Sequence, residues 1–119
     1  MLTLGLEYKG ATILNGASLS DFVALGAKSL VGIEMPAAWT AANLTFQVST
    51  DGGTTFNNLY DASGNEYTVT AAASRYIYLD RNVFFGINAI KVRSGTSSAA
   101  VNQSGADRVV RLAVRPMSS

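Results

Sequence analysis

One stretch constrains the fold more than any other: Leu44-Thr45-Phe46-Gln47-Val48-Ser49-Thr50-Asp51-Gly52-Gly53-Thr54-Thr55-Phe56-Asn57-Asn58-Leu59-Tyr60. Leu44, Phe46 and Val48 alternate with Thr45, Gln47 and Ser49, the period of a strand with one buried face. Asp51 readily bonds its own backbone, and Gly52 and Gly53 tolerate positive φ, so the chain can reverse there. Phe56, Leu59 and Tyr60 then resume the apolar signal. A β-hairpin is therefore predicted over 43–60, with the Asp-Gly-Gly turn setting register and Trp39, Phe46 and Phe56 joining one core.

Similar signals recur along the chain. Strands are expected at Ala11–Ser18, Ser29–Met35, Glu66–Thr70, Ser74–Leu79, Ala89–Arg93 and Arg108–Arg115. Within them Val31, Ile33 and Met35 share one face, and Val110, Leu112 and Val114 point inward with Arg111 and Arg115 outward. Arg75, Ile77 and Leu79 are the expected inner face of their strand, leaving Tyr76 and Tyr78 outside. Ser18 to Gly26 reads as an irregular connection or a helical turn, and Pro36 to Ala42 as a loop. Asp80 to Asn88 reads as a loop around Val83, Phe84 and Phe85. About eight short strands with turn chemistry between them predict an antiparallel sandwich or barrel. Only Met117-Ser118-Ser119 reads as a tail.

At 119 residues the chain is expected to form one domain, 1–119, without cross-links. It has no cysteine and no histidine. Disulfides, thiolate metal sites and cysteine nucleophiles are thereby excluded, and the usual general base and commonest metal ligand are missing. No enzyme activity and no cofactor are expected. Charged residues make up 14% of the chain, against about 25% in an ordinary soluble domain. Small neutral polar surfaces of this kind suit contact with other proteins, and equally a compact β-protein that simply has Thr- and Ser-rich faces. No apolar run reaches the ~20 residues of a membrane span, and Met1-Leu2-Thr3-Leu4 does not resemble a secretory leader.

Candidate binding residues are few. Six acids against Lys9 and Lys28 in residues 1–74 give −4, and seven bases against Asp80 and Asp107 in residues 75–119 give +5. Lys91, Arg93, Arg111 and Arg115 are expected to point outward from strands that can neighbour each other. They would form a basic stripe for an acidic partner surface, or a solvated sheet face whose charges deter edge aggregation. Nucleic acid is not expected, because no aromatic residues interleave these bases. Trp39 is either a plug closing one end of the fold or a ring for sugar stacking or an interface; its alanine neighbours favour the plug. Asp51, Asp61, Asn57, Asn58 and Asn65 offer oxygen ligands for calcium, but turn formation accounts for them without a metal.

The run from Met35 to Gly52 (MPAAWTAANLTFQVSTDG) resembles a recurring small structural protein of tailed bacteriophages and prophages. Ile90–Ser97 (IKVRSGTS) and Val101–Arg108 (VNQSGADR) resemble the C-terminal half of the same group. Ser49, Asp51, Gly52 and Phe56 are also similar to a pattern in galactose-binding-like jelly rolls. These resemblances imply an all-β antiparallel sandwich of jelly-roll type. They also imply a virion component assembled in the bacterial host cytoplasm, foremost a capsid decoration or cement protein. Its expected partners are the major capsid protein or other virion proteins and further copies of itself, with a trimer the first expectation. The alternative is a carbohydrate-binding module of a tail or head fibre, with a glycan as partner.

Overall fold

The computed structural model describes residues 6–116. Expectations about a leader at Met1–Leu4 and a tail at Met117–Ser119 lie outside the described residues. The strands are β1 (Glu7–Ile13), β2 (Val23–Ala24), β3 (Lys28–Glu34), β4 (Leu44–Ser49), β5 (Asn57–Asn58), β6 (Tyr76–Tyr78), β7 (Ala89–Ser94) and β8 (Arg108–Pro116). A 3₁₀ turn, Arg81–Phe84, lies between β6 and β7.

The strands form nested antiparallel couples: β1 with β8, β2 with β7, β3 with β6 and β4 with β5. Further pairing of β3 with β8 and β4 with β7 completes two four-stranded sheets, β1-β8-β3-β6 and β2-β7-β4-β5. Nested pairs distributed over two sheets are the topology of a jelly roll. The expected all-β antiparallel sandwich is therefore the fold of this chain.

Alternation explains which side chains fill the space between the sheets. Leu44 and Phe46 of β4, Ile90 and Val92 of β7, and Val110, Leu112 and Val114 of β8 are all fully buried there. The 3₁₀ turn is capped by Asp80, whose carboxylate accepts from the Asn82 N–H, and it drives Phe84 into the core. Phe84 meets Phe46 edge-on with ring centres 5.6 Å apart, and Tyr67 packs against both. Ile77 and Leu79 turn inward and Tyr76 and Tyr78 outward, as their alternation predicts. Arg75, expected on the inner face, precedes β6 and stays exposed.

Four further local expectations are corrected. β1 ends at Ile13 instead of running to Ser18, and begins at Glu7. Its inward positions Glu7 and Lys9 lie beyond the apolar core, so polar residues mask the strand period there. In β3 a register irregularity between Leu30 and Gly32 sends Leu30 and Ile33 to the core and takes Val31 out of the expected face. Glu66–Thr70 is not a strand. It makes only isolated bridges, Tyr60 to Glu66 and Leu44 to Val69. Phe56 leaves the core and packs edge-on to Phe22, 5.7 Å between centres.

The Asp51 turn follows its predicted chemistry in detail. The carboxylate accepts from the Ser49 hydroxyl at 2.7 Å, the Thr55 N–H at 2.9 Å and the Thr54 N–H at 3.1 Å. Gly52 and Gly53 both have positive φ, and a Cβ on Gly53 would lie 2.2 Å from the Phe22 ring. The hydroxyl of Ser49 foremost, and then the backbone of Thr55, hold the Asp51 carboxyl down from 3.8 to about 2. A depressed carboxylate stabilises the fold above its unfolded pKa and loses that contribution as pH falls through the folded one. The Thr54 and Thr55 amide resonances are accordingly expected to titrate with a midpoint near 2, and a midpoint near 3.8 would contradict these bonds.

Candidate functional site

β7 and β8 pair with different strands, so the four basic residues singled out in the sequence do not share a surface. Lys91 and Arg93 lie on the β2-β7-β4-β5 sheet, Arg111 and Arg115 on the other. The expected basic stripe is thereby divided between the two outer faces of the sandwich.

Arg93 also departs from expectation in exposure, at 7%. It sits on the outward side of β7, but the segment from Asn58 to Glu66 folds over it. Its guanidinium donates to Asn58 Oδ1 at 2.8 Å, Glu66 Oε2 at 3.2 Å and Thr45 Oγ1 at 3.3 Å. Glu66 also accepts from the N–H and hydroxyl of Ser97. This cluster pins two loops to the sheet and is unsuited to docking.

Trp39 packs half-buried against the core, and its indole N–H donates to the Ala42 carbonyl at 3.0 Å. Beside it the fully buried Gln103 amide bridges Thr40 N–H, Thr40 C=O and Ser94 Oγ. Trp39 is thus part of the closure of the sandwich. Three of the oxygen donors considered for calcium, Asp51, Asp61 and Asn58, are likewise engaged locally. Asp61 accepts from the N–H groups of Ser63 and Asn65, while Asn58 accepts from Arg93. Among the described residues no three His, Cys, Asp or Glu side chains gather as a metal-binding group.

Among the described residues, each sheet carries an outward aromatic patch beside a cation, and the two lie back to back. The first lies on the β1-β8-β3-β6 sheet, where register aligns outward residues in two rows. Gly10, Arg111, Glu34 and Tyr76 form one row; Tyr8, Ala113, Gly32 and Tyr78 form the other. Tyr8, Tyr76 and Tyr78 are exposed, Tyr78 by 82%. Arg111 pairs with Glu34, and its guanidinium carbon lies 4.4 Å from the Tyr8 ring centre. The Tyr76 ring leans across Gly32, where a Cβ would lie 1.9 Å from its hydroxyl, so only glycine admits it. Desolvation, then the nearby Tyr8 and Glu34, raise the Tyr76 hydroxyl above its ordinary pKa.

The second patch lies on the opposite sheet. Lys91 Nζ stands 4.6 Å from the Phe56 ring centre, and Phe22 extends the apolar surface over Gly53. Of these patch residues, Lys91 and Arg111 are the two that sequence patterning singles out as candidates. The outward Tyr76 and Tyr78 are legible from Tyr-Ile-Tyr alternation, whereas Tyr8, Glu34 and Phe22 carry no local signal.

Compared with family models, curated proteins and solved structures, the chain matches none. The phage resemblance therefore rests on the runs Met35–Gly52, Ile90–Ser97 and Val101–Arg108.

Proposed function

We propose that this jelly roll is a structural virion protein of a tailed phage, a decoration or cement protein that bridges shell subunits, with no catalytic role. The observation that carries the reading is the pair of aromatic–cation patches on opposite faces of one rigid sandwich. A bridging protein needs two separate contact surfaces, and aromatic side chains, present on both faces, are enriched where protein interfaces are strongest. Jelly rolls also serve as viral capsid and lectin domains, an analogy of fold alone. In this reading the Phe22, Phe56 and Lys91 face grips the major capsid protein, and the particle is assembled in the host cytoplasm.

Purified protein added to expanded shells that lack it is expected to raise their thermal and mechanical stability. Phe22→Ser is expected to weaken shell binding by about tenfold, the loss of one good interface contact. Binding without any change in shell stability would remove the cement role.

A carbohydrate-binding reading draws on the tyrosine face, where Tyr76 lies across Gly32. Glycan-array binding that Tyr76→Ala abolishes would favour it. Trp39, held in the closure of the sandwich, contributes nothing to that surface.

A further inference from the structure

We infer that the outer face of the β1-β8-β3-β6 sheet is a self-complementary surface for a second copy of this chain. Its two registered rows show why. A two-fold axis parallel to the strands, midway between β8 and β3, sets β8 against the partner's β3 and β1 against the partner's β6. Each row then meets its own reverse. Arg111 faces the partner's Glu34, Tyr8 faces the partner's Tyr78, and the Tyr76 ring, leaning over the buried Gly32, faces the partner's buried Ala113. Positive charge meets negative, ring meets ring, and the Tyr76 ring meets a small residue, Ala113.

An isologous contact requires this: one patch complementary to itself under a two-fold rotation. Aligned sheets cross at about −30°, so the correspondence holds best in these central rows. The Arg111 and Glu34 side chains are half exposed while paired within the chain, 50% and 46%, so both retain hydrogen-bonding capacity toward a partner. Four alternating charges between two flat tyrosine layers favour the paired arrangement over a shifted one, because a shift sets like charges opposite.

Four strands at their ordinary spacing give a footprint of roughly 400 Å² in projection. That is about half of the ~800 Å² per partner in a standard interface, so the dimer is a weak, transient one in solution.

Sedimentation equilibrium on purified protein alone, from about 10 μM to about 1 mM, tests the inference without any shell present. The expected result is a monomer–dimer equilibrium for the wild type. R111E and E34R should each remain monomeric over that range, and the E34R/R111E double variant should dimerise again, since both the internal and the cross-copy pairs are restored with reversed sign. Tyr78→Ser should weaken the dimer about tenfold, read on the same scale. Thermal melts of each variant separate loss of pairing from loss of fold. A wild-type monomer at every concentration overturns the inference, as does an oligomer indifferent to R111E and Tyr78→Ser. Shell binding by a strictly monomeric protein would leave the virion reading standing and this one refuted.

Discussion

Phe46→Ala is expected to cost about 4 kcal/mol, in the middle of the range for truncating a buried aromatic ring. Phe46 is fully buried on β4 and is the ring against which both Phe84 and Tyr67 pack. Truncation removes the transfer free energy of the ring and leaves a cavity between two sheets that cannot both move inward. With a domain of this size the melting temperature should fall by about 15 °C. Phe46→Leu retains most of the volume and should lose less than half as much. Urea unfolding with an unchanged m-value would confirm that the native state, and not the denatured ensemble, carries the effect. A loss below about 1.5 kcal/mol would show that the 3₁₀ turn relaxes to refill the site.

Arg93→Ala is expected to cost about 3 kcal/mol by a different route. The deleted guanidinium serves Asn58, Glu66 and Thr45 together, and Glu66 would remain largely buried with only Ser97 to satisfy it. Because the cluster is shielded, the loss should change little between low and high salt, unlike that of a surface pair. Arg93→Lys keeps the charge but not the fork of donors, so an intermediate loss is expected. The double variant Arg93→Met/Glu66→Gln should recover part of the stability lost by Arg93→Ala, since no ionised group is then left unpaired. Hydrogen exchange in the 58–66 and 95–100 segments provides a local readout: both should open in Arg93→Ala while the β8 amides stay protected.

The fold was largely legible because its strands advertise one buried face. β4, β7 and β8 alternate cleanly, and their inward residues are those that alternation assigns. Legibility failed where a short-range pattern is absent. β2 has only Val23 and Ala24, too few residues for a period, and β1 places Glu7 and Lys9 on the inward side. In β3 one register irregularity exchanges the faces on either side of it. The basic stripe failed for a topological reason. Lys91 and Arg93 lie one strand before Arg111 and Arg115 in sequence, yet nested pairing sends β7 and β8 to opposite sheets. The candidate surface was hidden similarly: Tyr8, Arg111, Glu34 and Tyr76 come from four separate parts of the chain, and only the register assembles them.

That nested pairing bears on how the protein is made. β8 leaves the ribosome after all the other described strands, yet it occupies an interior place between β1 and β3. Throughout synthesis of the preceding segments, β1 and β3 therefore present unpaired backbone toward the gap that β8 will fill. Such edges recruit other chains when they persist. The nascent protein must remain unassembled until residues 108–116 emerge, and the sheet then closes in a single late event dominated by distant contacts. A chain released after Asp107 should accumulate as aggregates, while one released with β8 complete folds.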